Sequence, residues 1–137
     1  MRANRKTGSR PEVRLRSELH RRGLRFRKNV RIQLGDVSAT ADIVFRRHRV
    51  AVFVDGCFWH ACPQHGVRPR ANARYWERKL QANVTRDRLV TAAFQERGWR
   101  VIRIWEHVPA EQAAAMIVSI LSRLTEGPPV RNTRVAG

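Results

Sequence analysis

Apolar positions recur along this chain with two different spacings, and the changes between them mark out its elements. Leu15 and Leu19 share one face at helical spacing with Glu12, and Ser9-Arg10-Pro11-Glu12 has capping-box spacing with proline near the first helical position. The pattern predicts a helix that runs to about Arg22 and stops at Gly23, with Glu12 leaning towards the buried side. Leu24, Phe26, Val30, Ile32 and Leu34 then alternate, broken only at Lys28, which predicts a strand with a bend. Gly35-Asp36 turns the chain into a second strand, Ala41 to Phe45. The polar connector Arg46 to Arg49 leads to a third, Val50 to Val54.

Asn72 can cap a helix that begins near Tyr75-Trp76 and carries Leu80 and Val84. A second helical stretch through Leu89, Val90, Ala93 and Phe94 ends at Gly98, and Trp99 to Trp105 reads as a fourth strand. After Pro109, Met116, Ile117, Ile120, Leu121 and Leu124 form a 3-4 stripe on a final helix. This succession predicts an α/β domain, a mixed central sheet flanked by helices. Residues 1–8 are expected as a basic arm, 9–126 as a single domain, and 127–137, Pro-containing and basic, as a disordered tail.

Charge narrows the class. Against 28 Lys and Arg stand 11 Asp and Glu, a net charge of +17 over 137 residues, which points to a polyanionic partner, nucleic acid first. No apolar run approaches the roughly 18 residues of a membrane span. No signal peptide is visible. Both cysteines lie in one His-bearing stretch, which suits a metal site in a reducing compartment better than a disulfide.

The scarcity of acids makes their placement informative. Asp42 opens the second strand and Asp55 closes the third. A hairpin centred between His48 and Arg49 would set them opposite each other. Carboxylates about 5 Å apart repel by roughly 3 kcal/mol at an effective dielectric near 20. A cation between them is the expected reason, and magnesium suits one or two carboxylates plus phosphate oxygens. Each acid could instead pair with one of the many arginines. Beyond Asp55 the chain offers Cys57, His60, Cys62 and His65, with His107 after the last strand. Four such ligands make a closed tetrahedral zinc site, and spacing leaves open whether His60 or His65 belongs to it. A spare imidazole near a metal-bound phosphate can carry a proton. Phe58, Trp59 and Trp76 are bulky aromatics among polar residues, suited to wedging between base steps or to packing around zinc. Arg68, Arg70, Lys79 and Arg86 are candidate phosphate contacts.

Together, Arg10-Pro11-Glu12, Ala41-Asp42-Ile43-Val44-Phe45, Gly56-Cys57-Phe58-Trp59-His60, Tyr75-Trp76, Asn83-Val84, Arg86-Asp87-Arg88, Gly98-Trp99-Arg100-Val101 and Trp105-Glu106 resemble the very-short-patch-repair (Vsr) mismatch endonucleases. The resemblance spans almost the whole chain and implies a restriction-endonuclease-like (PD-(D/E)xK-type) fold with a structural zinc site. It implies nicking of duplex DNA on the 5′ side of the thymine in a T:G mismatch. It further implies magnesium on Asp42, the Val54 carbonyl and Asp55, His60 as general base or water-positioning group, and Glu12 as an outer acid. Phe58, Trp59 and Trp76 match the intercalating aromatics, and Cys57, Cys62, His65 and His107 fall where the family binds zinc.

Two departures stand out. The best-known pattern has histidine where this chain has Asp55, which favours direct metal binding there, and the zinc set mixes Cys and His differently. The short arm implies fewer minor-groove contacts. A monomer on DNA in the nucleoid of the bacterial cytoplasm, coupled to repair proteins or a cytosine methyltransferase system, completes the expectation. A related nickase with another target and a zinc-stabilised DNA-binding module without catalysis are the alternatives.

Overall fold

The structure, a computed structural model, describes residues 10–57, 71–126 and 133–135. In chain order these form α1 (Pro11–Arg21), β1 (Arg27–Leu34), β2 (Val37–Phe45), β3 (Val50–Asp55), α2 (Ala73–Glu96), β4 (Arg100–Trp105), α3 (Ala110–Glu126) and β5 (Thr133–Val135). The five strands make one sheet in sequence order. β1, β2 and β3 are antiparallel neighbours, whereas β3, β4 and β5 run parallel, with α2 as the crossover between β3 and β4. The mixed sheet flanked by helices is therefore present. Within the stretch expected as a disordered tail, Thr133–Val135 instead pair with β4.

Side chains alternate across β3 and β4 and so feed two apolar layers. Val50, Val52, Ile102 and Ile104 pack with Leu15 and Leu19 of α1 and Ile117 and Ile120 of α3. Ala51, Phe53 and Val101 pack with Val90 and Phe94 of α2. Of the stripe on α3, Ile117, Ile120 and Leu121 are buried as expected, Leu124 is partly buried, and Met116 faces solvent at 37% exposure.

Both α1 and α2 end in a Schellman motif. Leu24 N–H donates to Leu19 O at 3.1 Å and Gly23 N–H to His20 O at 2.9 Å. Trp99 and Gly98 repeat this onto Phe94 and Gln95 at 2.9 and 3.1 Å. Gly23 and Gly98 take φ of 82° and 81°, the left-handed conformation the motif requires. At the other ends neither N-cap residue makes a side-chain cap, and Ser9 of the expected capping box lies outside the described residues. Arg10 is the N-cap of α1, and Asn72, at the start of α2, is itself left-handed with no capping bond. The two helical stretches expected after Asn72 are one helix of 24 residues.

The sheet is irregular at one place. The β1–β2 pairing passes from Val30↔Ala41 to Lys28↔Ile43, stepping over Asn29 and Asp42, and Asn29 takes a φ of 50°. Ala41 belongs to the α2 layer and Ile43 to the α1–α3 layer, although residues two apart in a regular strand share a face. The alternation is reset at Asp42. This local flip is the physical content of the bend that Lys28 marks in the sequence.

Phe94 is fully buried between Phe53 and Trp99, with ring centroids at 5.8 and 5.9 Å. Phe94→Ala is expected to destabilise the domain by about 3–5 kcal/mol, measured by urea unfolding. A loss below about 1 kcal/mol would mean that α2 does not close this layer.

Candidate active site

Where the β1–β2 ladder skips Asp42, the β2–β3 pairing also ends, its pairs being Ile43↔Val52, Val44↔Ala51 and Phe45↔Val50. Strands that part leave backbone N–H groups without a ladder partner. Here Val54 N–H donates to Asp42 Oδ2 at 2.8 Å. The carboxylate is thus fixed by the backbone of the neighbouring strand.

The register corrects the expected facing of the two acids. The connector turn is centred between Arg47 and His48, with Arg49 at a φ of 54° and its N–H bonded to Arg46 O at 3.1 Å. Extending the observed pairs sets Asp42 opposite Phe53, two residues short of Asp55. Both acids nevertheless line one cleft of about 270 Å³, together with Thr40, Arg86, Asp87 and Arg103.

Asp55 is buried, at 3% exposure, on the α2 side of the sheet. Arg103 Nη1 meets its two carboxylate oxygens at 3.2 and 3.3 Å. Arg103, the parallel partner of Phe53, is itself buried, and its guanidinium lies 4.6 Å from the Phe53 ring centroid. Its other contacts are Thr91 Oγ1 at 3.2 Å, Asp87 O at 3.3 Å and Asp87 Oδ1 at 3.6 Å. Pairing with an arginine is therefore the arrangement of Asp55. Sequence reasoning passed over Arg103, although a charge in the apolar run Val101-Ile102-Arg103-Ile104-Trp105 was the available signal.

Burial pushes the Asp42 carboxyl above its ordinary range, and the charges of Glu12 and Asp55 push it further. The Val54 N–H and Arg16 act in the opposite direction. Glu12, on the first turn of α1, also contacts Arg10 Nη1 at 3.5 Å. The site thus holds acids whose mutual repulsion a cation would relieve, and hard carboxylate oxygens suit magnesium. Among the described residues no cluster of three or more His, Cys, Asp or Glu side chains is arranged as a metal cage.

Beyond β3, Glu106 N–H donates to Asp55 O at 2.9 Å, and Glu106 Oε2 accepts the Cys57 N–H at 2.9 Å. This tie joins the chain leaving β3 to the end of β4. Cys57 Sγ lies 3.3 Å from His107 Nδ1. Two ligands of one tetrahedral zinc, with Zn–S near 2.3 Å and Zn–N near 2.0–2.1 Å, sit roughly 3.5 Å apart, so the pair suits half of such a site. Phe58, Trp59, His60, Cys62, His65, Arg68 and Arg70 lie outside the described residues. Trp76 is half-buried at the start of α2 beside Tyr75, which is 49% exposed and has Lys79 Nζ 5.9 Å from its ring centroid. Arg86 is exposed at the cleft.

Residues 1–65 match the family model described as DNA mismatch endonuclease Vsr. The chain is 49% identical over 128 residues to the type II nicking enzyme V.NaeI of Lentzea aerocolonigenes, covering 93% of this chain and 77% of that protein. It is 42% identical over 106 residues to the type II nicking enzyme V.XorIIP of Xanthomonas oryzae pv. oryzae, 74% of this chain and 73% of the relative. To the DNA mismatch endonuclease Vsr of Escherichia coli it is 38% identical over 97 residues, 69% of this chain and 59% of the relative.

The raised Asp42 pKa has a sign in stability. Between the ordinary carboxylate value and the raised one, the folded chain keeps a proton that the unfolded chain has lost. Stability therefore falls as pH climbs through that window, and the full penalty persists above it. Asp42→Asn removes the charge and keeps an oxygen for the Val54 N–H. In chelator, its melting temperature is expected to match the parent's in acid and exceed it by a few degrees at neutral pH, by calorimetry. An advantage independent of pH would rule out the buried charge as its origin.

Proposed function

Because the chain belongs to the Vsr family of DNA mismatch endonucleases, we propose that it nicks one strand of duplex DNA, 5′ to the thymine of a T:G mismatch, in a magnesium-dependent reaction. The observation that carries this reading is Asp42, a half-buried carboxylate pinned by the Val54 N–H where β2 and β3 part, beside a cleft that Asp55 also lines. Pure DNA binding gives no reason for acids at that place, since they repel phosphates.

Asp42 is the principal magnesium ligand, with the Val54 carbonyl and Asp55 as further candidates. When bound, the ion polarises the scissile phosphate and stabilises the charge that develops on it. The chain's own groups do the rest. Asp42 presents an oxygen whose direction is set by the Val54 hydrogen bond. Arg103 keeps Asp55 against the cleft wall, so the two acids differ in role. Glu12 adds negative charge from α1. His60 takes a proton from the attacking water or orients it. Phe58, Trp59 and Trp76 open the stack beside the mismatch, and Arg68, Arg70, Lys79 and Arg86 hold phosphates. Cys57, Cys62, His65 and His107 bind a structural zinc that anchors the stretch carrying His60. The reaction leaves 5′-phosphate and 3′-hydroxyl ends, substrates for repair synthesis after deamination of 5-methylcytosine. This places the protein at the bacterial nucleoid with repair proteins or a cytosine methyltransferase system. Among the described residues no helix is long and apolar enough to cross a membrane.

Nicking of end-labelled duplexes carrying each mismatch in several flanking contexts, with magnesium, tests the reading. The thymine strand of T:G is expected to be cut at least about 10-fold faster than any other substrate. Asp42→Ala should lower that rate by about 10²-fold or more while still binding the mismatch. A different preferred mismatch, binding without breakage, or substantial cutting by the Asp42 variant each overturns it. For the zinc, elemental analysis is expected to find one ion per chain, lost in Cys57→Ser together with several degrees of thermal stability. Metal-free protein of undiminished stability would remove the zinc from the account.

A further inference from the structure

A second concavity, of about 430 Å³, lies between α1 and β1, lined by Val13, Arg16, Ser17, His20, Phe26 and Lys28. It lies beside the flip at Asn29. Val30, Ile32 and Leu34 pack in the α2 layer, whereas Phe26, on the other side of the flip, packs in the α1–α3 layer and Lys28 lines the groove beside it. Phe26 stacks on His20 with ring centroids 4.5 Å apart and an interplanar angle of 21°, and makes an edge contact with Phe45 at a centroid distance of 6.0 Å. The imidazole is therefore held against a rigid aromatic wall.

The polar lining is one-sided. Arg16 and Lys28 are cations, Ser17 has a hydroxyl, His20 has a ring N–H, and none of the lining residues is acidic. Arg16 Nη1 is shielded from solvent and has no hydrogen-bond partner among the described residues. A buried guanidinium nitrogen without an acceptor is unfavourable by the full desolvation of that group. A guanidinium that turns to meet an incoming oxygen relieves it. Arg16 also acts electrostatically on the Asp42 carboxyl. It stands one helical turn from Glu12 on the same helix, so the groove adjoins the catalytic acids.

We infer that this groove between α1 and β1 is a phosphodiester-binding subsite, with Arg16 as its anchor and Lys28 as its second cation. It holds a backbone phosphate of the DNA strand being cut, next to the phosphate that reacts. The inference rests on the nicking reading for the identity of the strand. Its chemistry, cations and hydroxyl without an acid, is that of phosphate recognition without base readout. The subsite therefore contributes equally on matched and mismatched duplexes.

The test measures affinity for T:G and matched duplexes across a range of potassium chloride concentrations in chelator, where no cutting occurs. Arg16→Gln and Lys28→Gln are each expected to raise Kd roughly fivefold at about 0.1 M salt and to lower the slope of log Kd against log salt by about 0.9, alike on both duplexes. Arg16→Lys should restore the slope. Phosphate-ethylation interference on the cut strand should lose a position in Arg16→Gln relative to the parent. If Arg16→Gln does not fold, Lys28→Gln, on an exposed strand position, decides alone. Unchanged slopes in the folded variants, or an effect confined to the mismatched duplex, overturn the subsite. Nicking by the parent with unchanged slopes defeats this inference alone. Altered slopes in a protein that never nicks defeat the nicking reading and leave the subsite standing.

Discussion

The hydrogen bond from Val54 N–H to the Asp42 carboxylate is the contact on which the candidate site depends. It exists because the β1–β2 ladder is interrupted at Asn29 and Asp42 while β2 and β3 part company at the same level. A sheet interrupted in this way must find partners for the backbone groups it releases. A carboxylate at the point of separation does so and is at once half-buried, oriented and brought near other acids. The irregularity in the ladder and the candidate site are one feature. Placed in a regular ladder, Asp42 would alternate in step with Ala41 and Ile43, and Val54 N–H would have an ordinary strand partner.

The same flip organises both sides of the sheet. Towards α2 it leaves a cleft where Asp55, Asp87 and Arg103 form a buried charged group, with the guanidinium over Phe53. Buried charges persist only when paired and hydrogen-bonded, and Arg103 does this for Asp55 through both oxygens. Towards α1 the cationic groove lies beside it, and the charges of Glu12 and Arg16 bear on Asp42. Acids sit at the centre, with cations on either flank, in a chain whose net charge is +17. Such an excess of positive charge draws in a polyanion.

Much of the architecture was legible in the residues themselves. The periodicities of Leu15-Leu19, Val50–Val54 and Ile117-Ile120-Leu121 placed helix, strand and helix where they occur, and Gly23 and Gly98 marked the helix ends that the Schellman motifs now explain. These signals are local: a stripe or an alternation is read within a few turns of the chain. The excess of Lys and Arg, and the string Gly56-Cys57-Phe58-Trp59-His60, likewise pointed to the family without coordinates. Asn72 stands at the N-cap position expected of it but makes no side-chain capping bond, being itself left-handed.

What only the tertiary structure decided is register, facing and partnership. The hairpin is centred one residue before the point that would pair Asp42 with Asp55, which moves the partner of Asp42 by two residues to Phe53, and Arg49 in the turn adopts a left-handed conformation that a sequence pattern does not announce. The reversal of faces at Asn29 and Asp42 required the α1–α3 and α2 layers to compete for the same strands. The choice of Arg103 for Asp55 joins residues 48 apart in the chain. Side-chain period is a property of neighbours along the backbone. Which face, which partner and which offset are set by packing between distant segments, and that information resides in the sum of the contacts rather than in any one stretch of sequence.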